Sequence, residues 1–125
     1  MPQADRPFVL LRHELADRSH WDLMLDTGEA LATWQLNEDP TADRSWTAGA
    51  FLPARRIADH RRAYLDYEGP VSGDRGSVIR VDRGHYFLLV GRPDVWTLQM
   101  HGDRLNGLFM LSGLGERWEF YRLAP

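Results

Sequence analysis

Short apolar runs, separated by clusters of Gly, Pro, Asp and Asn, occur along most of the chain. Several of these runs alternate apolar and polar residues, which is typical of half-buried β-strands. The pattern predicts a polar loop at 37–50 and strands within the segments 8–13, 20–26, 29–36, 76–84, 85–90, 95–102, 105–113 and 117–123. Strands at intervals of about ten residues, with turn signals between them, predict a compact antiparallel sandwich or barrel.

Helical character is predicted in one region, around residues 53–65. The expected fold is therefore all-β and mainly antiparallel: a small closed or partly open β-barrel with one short helical segment near 53–65. A chain of 125 residues most simply forms one domain, residues 1–125. A domain of this size can bury a core without covalent cross-links.

Composition narrows the class of protein. The chain has no cysteine, which excludes disulfides and thiolate metal sites and is typical of a reducing compartment. The first residues, MPQADRP, lack the apolar segment of a signal peptide, and no later run reaches membrane length. We therefore expect a soluble cytoplasmic protein with no membrane partner.

The charge of the chain argues against a protein that coats nucleic acid. The formal net charge is -3, with a pI of about 5.9, whereas bulk binding to phosphate backbones requires a basic surface. All fifteen Lys and Arg positions are arginine, so lysine-based covalent chemistry is excluded. A small local site for an anion remains compatible with this composition, because arginine binds phosphate in a bidentate manner.

The segment HELADRSHWDLMLD, residues 13–26, carries a candidate metal site. In a strand, His20 and Asp22 project from the face opposite Trp21 and Leu23. A short connection could bring His13 beside His20. Two imidazoles and one carboxylate suit a divalent transition metal such as Mn, Zn or Fe. Spacing alone leaves the alternative open that this is an ordinary polar strand face.

Two further places contain candidate chemistry. His60 and Tyr64 lie four residues apart, so a helical turn would place them on one face within an arginine-rich segment. This segment forms either an anion pocket or a solvated turn on which Tyr64 packs. Arg80 shares a predicted strand face with Asp82, so it binds either phosphate or that carboxylate.

Three other features receive a structural interpretation. The glycine-rich segment 69–77 lacks the Lys-Ser/Thr ending of a phosphate-binding loop, so it predicts a turn. His85 and His101 lie near turn glycines and are expected to have structural or surface roles.

The chain resembles the 3′-phosphoesterase domain of bacterial DNA ligase D, the multidomain enzyme of nonhomologous end joining. The resemblance rests on an ordered set of segments: FVLLRH, HWDLMLD, LATWQL, DHRRAYLDYEG, GSVIRVDRG, LQMHGDRLNGLFML and WEFYRL. Members of that family are small β-barrels that use manganese to remove ribonucleotides and phosphate from the 3′ end of a primer strand.

The resemblance implies a Mn²⁺-dependent hydrolase that acts on a 3′-terminal phosphoester of DNA, with DNA-repair proteins as partners. It implies that His13, His20 and Asp22 are the metal ligands, and it places His60 and Tyr64 at the scissile phosphate. We assign Arg80 to the catalytic set as a source of positive charge.

The sequence also departs from the family pattern. The family has an arginine two positions after the metal-ligating aspartate, where this chain has Met24. Loss of one preorganised donor can cost about 10²–10³ in rate. The interval from His13 to His20 is one residue longer, and Arg55 or Arg56 would have to replace an upstream arginine. These departures leave two alternatives open: a binding module that has lost the chemistry, or a structural domain.

Overall fold

In the described part of the chain, residues 5–42 and 49–125 of the computed structural model, the regular secondary structure is almost entirely β-strand. The elements follow one another in this order: β1 (Arg6–Glu14), β2 (Ser19–Asp26), β3 (Leu31–Leu36), β4 (Phe51–His60), a 3₁₀ turn (Arg62–Leu65), β5 (Gly69–Pro70), β6 (Ser77–Arg92), β7 (Val95–Gly102), β8 (Asn106–Leu114) and β9 (Arg117–Ala124). Most strands are separated by only two to five residues, which favours antiparallel neighbours.

The strands form one antiparallel sheet that closes on itself. The strand order is β1-β2-β3-β4-β9-β8-β7-β6-β5, and β1 also pairs with β6. Eight strands therefore form a ring, with the two-residue β5 attached to β6. Closure leaves no long unpaired edge in this ring. The predicted all-β, antiparallel architecture is confirmed.

The helical prediction near 53–65 holds only for the 3₁₀ turn at Arg62–Leu65. Residues 53–60, part of the same prediction, belong instead to strand β4. β4 pairs with β3 along residues 54–60 and with β9 along residues 51–55, and this tertiary context overrides local propensity.

Other predicted boundaries also change. The two strands predicted within 76–84 and 85–90 form one continuous strand, β6. The strand predicted at 29–36 begins at Leu31. Residues 43–48 of the predicted polar loop lie outside the described residues.

The main core fills the interior of the ring. Alternation along β2 directs Leu23 and Leu25 inward, with Trp21 packed against them, as predicted. The largest inward side chains come from most strands of the ring: Phe8, Trp34, Tyr86, Phe109 and Phe120. Burial of each large apolar side chain contributes about 1.5–3 kcal/mol of hydrophobic stabilisation.

A second, smaller cluster lies on the outer face of the ring. It consists of Val9, Leu11, Met24, Leu31 and Val78, which are buried beneath Tyr64, Leu65 and Val71. We call this set the outer cluster. The 3₁₀ turn and the segment after it cover this face. The polar residues of β1 and β2 that point outward lie on the same face.

Tyr86 gives the fold a testable dependence on alkaline pH. Its buried hydroxyl donates a hydrogen bond to the carbonyl of Asp26 at 2.7 Å. Burial raises the pKa of Tyr86 to about 12, with a smaller opposing effect from Arg6. The unfolded chain releases this proton near pH 10. The stabilisation is therefore complete below pH 10 and is lost as the pH rises through 12.

We expect Tyr86→Phe to lower the free energy of unfolding by about 1 kcal/mol at pH 7, because one buried hydrogen bond is lost. The variant should also lose less stability than the wild type between pH 10 and 12. Urea unfolding at pH 7, 10 and 11.5 measures both effects. Tyr121→Phe, which removes a surface bond to Glu119, is the control at pH 7. If the free energy of unfolding falls equally with pH above pH 10 in Tyr86→Phe and in the wild type, the raised pKa of Tyr86 is contradicted.

Candidate metal centre

The register of β1 and β2 brings three potential ligands to one face of the sheet. His13 lies directly opposite His20, and Leu11 lies opposite Asp22. Side chains at alternate positions share a face, so His13, His20 and Asp22 all project outward beside the outer cluster. Leu15–Arg18 form the connecting turn, closed by a bond from the Leu15 amide to the Arg18 carbonyl. This turn accommodates the longer interval between the two histidines.

The donor atoms of His13, His20 and Asp22 all lie within 4.8 Å of one another. Nδ1 of His20 is 2.8 Å from Oδ1 of Asp22, and Nδ1 of His13 is 3.9 Å from Oδ2. Two ligands about 2.0–2.2 Å from one ion are at most about 4.4 Å apart. Small rotations therefore suffice for joint coordination, and these residues could hold a divalent transition metal.

A backbone carbonyl orients the imidazole of His13. Nε2 of His13 lies 2.5 Å from the carbonyl oxygen of Arg75. A carbonyl oxygen only accepts, so Nε2 carries the proton and Nδ1 of the neutral ring keeps its lone pair. That lone pair is on the nitrogen that faces Asp22. A hydrogen bond of this kind is typical of histidines that bind metals.

The close approach of Arg75 to β1 depends on glycine at position 76. Gly76 has φ +77°, and a Cβ added there would lie 1.9 Å from the carbonyl oxygen of Glu14. A residue with a side chain is disfavoured at position 76 by the left-handed conformation and by the collision of its Cβ with the Glu14 carbonyl. The glycine-rich segment is a turn, as the sequence predicts, and it also supplies the carbonyl that bonds to His13.

A cavity of about 390 Å³ opens beside the three ligands. Its lining includes His13, Asp22, His60 and Tyr64, together with Arg61 and Arg75. The rings of His60 and Tyr64 meet edge to face, with centroids 5.6 Å apart. Nδ1–H of His60 donates to the Ala58 carbonyl at 3.0 Å, which leaves Nε2 free for a ligand. The structure thus brings His60 and Tyr64 to the cavity that adjoins the candidate ligands.

An ion pair fixes the 3₁₀ turn that carries Tyr64. Arg62 donates from Nε to Oδ1 and from Nη2 to Oδ2 of Asp26, at 3.1 and 3.0 Å. Asp26 is only 2 % exposed and also accepts the amide of Gly28. Bidentate pairs of this kind combine strength with fixed geometry. The end of β2 therefore positions the turn above the cavity.

Arg80 lies on the same outer face as the ligands, paired with Leu11, but it does not line the cavity. The prediction that Arg80 and Asp82 share a strand face is wrong. A bulge in β6 pairs Asp82 with Leu10, whose side chain points inward. The Asp82 carboxylate accepts four backbone amides, from Arg83, Asp103, Arg104 and Leu105. The catalytic role assigned to Arg80 stays a prediction.

The two proposed replacement arginines also lie away from the cavity. The guanidinium of Arg56 stacks on Trp34, Trp96 and Trp118, and is 4.3 Å from the ring centroid of Trp34. Burial lowers the pKa of Arg56, and the nearby Asp59 partly opposes this effect. Arg55 instead pairs with Glu116.

Two other arginines, Arg61 and Arg75, line the cavity, as does the acidic Asp59. The guanidinium of Arg75 donates to the carbonyl and hydroxyl oxygens of Ser72. Arg61 belongs to the arginine-rich segment that the sequence indicated, whereas no sequence pattern indicated a role for Arg75. The contact between Arg75 and His13 joins residues 62 positions apart. No local pattern in the sequence signals such a contact.

Met24 forms part of the cavity floor. It is 1 % exposed, belongs to the outer cluster and lines the cavity between the ligands and Tyr64. A methionine donates no hydrogen bond. Among the described residues that line this cavity, the arginines that could contact a phosphate are Arg61 and Arg75.

The fold and the site define a class: a closed antiparallel β domain with a two-histidine, one-aspartate cluster on its outer face. Residues 12–112 match the family model of the DNA ligase D 3′-phosphoesterase domain. This match covers most of the chain, which therefore belongs to that family, and the resemblance is confirmed. Comparison with curated proteins gave no match. Within residues 5–42 and 49–125, no helix is long and apolar enough to cross a membrane.

Proposed function

We propose that this protein is a metal-dependent 3′-phosphoesterase that removes phosphate or a terminal nucleotide from 3′ ends of DNA during end repair. The observation that carries the proposal is one cavity. This cavity is lined by two of the three clustered candidate ligands and also by His60, Tyr64 and two arginines. It occurs in a chain that belongs to the 3′-phosphoesterase family. Mn²⁺ is the proposed cofactor, since the donor set suits it and the resemblance implies it.

The reaction adds water across a phosphorus–oxygen bond. The water oxygen bonds to phosphorus, the bond to the 3′ oxygen breaks, and a proton reaches the 3′ oxygen. The cation, when bound to His13, His20 and Asp22, would supply Lewis-acid stabilisation of a phosphate oxygen.

The remaining roles belong to side chains of the cavity. His60 lines the cavity, and its Nε2 remains available because Nδ1 is engaged with the Ala58 carbonyl. We assign it proton transfer to the leaving oxygen, or a hydrogen bond to the transferring phosphoryl group. Tyr64 donates to a phosphate oxygen. Arg61 and Arg75 provide the positive charge that Met24 does not, and Arg80 remains a more distant candidate.

The test measures phosphate release from a primer–template with a 3′-phosphate, with Mn²⁺ and with EDTA. We expect Mn²⁺-dependent release by the wild type. His60→Ala should lower the rate by about 10²–10⁴, the usual contribution of a positioned acid or base. His101→Ala, which removes an exposed histidine that contacts Phe87, is the matched control and should keep the wild-type rate. Equal rates for His60→Ala and wild type would exclude this role.

The buried Met24 supports a second candidate, a module that binds metal or phosphate and docks onto DNA-repair proteins without turnover. Calorimetric titration with Mn²⁺, followed by the release assay, separates the two candidates. Tight Mn²⁺ binding without phosphate release favours the module. Release that depends on bound Mn²⁺ favours the enzyme.

A further inference from the structure

A second cavity adjoins the one that contains His60. It has a volume of about 230 Å³ and shares Arg61, Tyr64 and Val71 with the first cavity. Its remaining lining residues are Ala63, Tyr67, Pro70 and Ser72. A ligand held at Tyr64 by its phosphate can therefore extend into this second space. The volume is below the 300–1,000 Å³ typical of pockets for drug-sized ligands, so it suits a single ring system.

The second cavity has a rigid aromatic wall. The ring of Tyr67 is 37 % exposed and stands at 90° to the ring of Tyr64, with centroids 5.7 Å apart. The Tyr67 hydroxyl donates to the carbonyl of Pro70, which fixes the ring. A ring held in place before binding loses little entropy when a flat ligand stacks on it.

Among the described residues, the charged side chain at this cavity is Arg61, which suits a ligand that also carries a phosphate. None of the residues that line it is acidic. Arg61 lies at the junction of the two cavities, and no carboxylate in the described ranges pairs with its guanidinium. Arginine both attracts phosphate and stacks on the planes of bases.

We propose that the second cavity binds the nucleobase of the terminal nucleotide, stacked on Tyr67, while the 3′-phosphate of that nucleotide lies in the first cavity. This inference rests on the proposed function for the position of the phosphate. It assigns Tyr67 to substrate binding and Arg61 to the link between base and phosphate. The ligand class is an aromatic heterocycle carried on a phosphorylated sugar.

Equilibrium binding without metal tests this assignment independently of turnover. Two labelled single strands carry a 3′-phosphate and differ only in whether the terminal nucleotide has a base or is abasic. Anisotropy titrations in EDTA give both affinities. We expect the wild type to prefer the base-ended strand by about 5- to 150-fold, the range measured for one stacked base.

Two variants at position 67 separate the ring from the hydroxyl. Tyr67→Ala should make the two affinities nearly equal, mainly by lowering the affinity for the base-ended strand. Tyr67→Phe keeps the ring and should keep most of the preference. Ala63→Leu, which narrows the cavity without adding an aromatic ring, should also remove the preference. Thermal unfolding by circular dichroism confirms that each variant is folded.

The outcomes distinguish this inference from the proposed function. Absence of a base preference in the wild type, or an equal loss of both affinities in Tyr67→Ala, would overturn the base subsite. Hydrolysis in Mn²⁺ without a base preference would overturn the subsite alone. Base-dependent binding without hydrolysis would leave the subsite supported and reject the proposed enzyme.

Discussion

His20→Ala is expected to abolish both Mn²⁺ binding and phosphate release. The substitution removes one of three ligands, and the coordination of the remaining two is too incomplete to hold the ion. Loss of a residue that only supports a ligand already costs about 10- to 100-fold in affinity, so loss of the ligand should exceed 100-fold. Calorimetry with Mn²⁺ measures the affinity, and the primer assay measures release.

The same substitution also affects the protein without metal. Nδ1–H of His20 donates to the almost completely buried carboxylate of Asp22. Removing a partner of a buried charged group costs about 1–3 kcal/mol. We therefore expect a lower melting temperature in EDTA. In addition, Mn²⁺ should raise the melting temperature of the wild type and not that of the variant, because binding to the folded state stabilises it.

His85→Ala is the matched control for His20→Ala. His85 is an exposed histidine on β6 that pairs with Pro7 and lies outside the cavity. This control should keep both the affinity for Mn²⁺ and the stabilisation by Mn²⁺. If His20→Ala binds Mn²⁺ as tightly as His85→Ala does, the metal centre is elsewhere or absent.

The position of the three candidate ligands could be predicted from the sequence because it follows from strand periodicity. The apolar set of β2 has to face the core, so His20 and Asp22 face away from it. Once β1 and β2 form a hairpin, burial of Phe8 and Leu10 fixes the register that places His13 opposite His20. Each of these steps uses only local pattern and the alternation of side chains.

The support around the ligands could not be predicted because it depends on irregular backbone and distant contacts. The bulge in β6 separates Arg80 from Asp82, and no residue in that strand signals it. The Arg75 carbonyl reaches His13 only through a turn with two left-handed glycines, Gly73 and Gly76. The strand character of 53–60 comes from pairing with β3 and, as far as Arg55, with β9. These features require the whole fold.

Gly76→Ala is expected to weaken Mn²⁺ binding although residue 76 is not a ligand. The new Cβ would lie 1.9 Å from the Glu14 carbonyl oxygen, and backbone atoms cannot move aside as a flexible side chain can. The turn has to shift away from β1, and the Arg75 carbonyl then leaves Nε2 of His13. A histidine without this hydrogen bond is less well oriented. We expect the affinity for Mn²⁺ to fall by about 10- to 100-fold.

Gly73→Ala separates this steric effect from backbone strain, because the two glycines have almost the same positive φ. Gly73 has φ +73°, and a Cβ there would meet only Nε of Arg75, at 3.7 Å. Both variants incur the left-handed penalty of about 1–2 kcal/mol, but only Gly76→Ala displaces the carbonyl.

Calorimetry compares their affinities for Mn²⁺, and ¹⁵N NMR of the metal-free proteins reports which nitrogen of His13 carries the proton. We expect protonated Nε2 in the wild type and in Gly73→Ala, and a mixture of tautomers in Gly76→Ala. Equal affinities and identical His13 spectra for the two variants would show that the Arg75 carbonyl does not position this ligand. A difference confined to Gly76→Ala would show that a turn 62 residues from His13 in sequence sets the geometry of the metal centre.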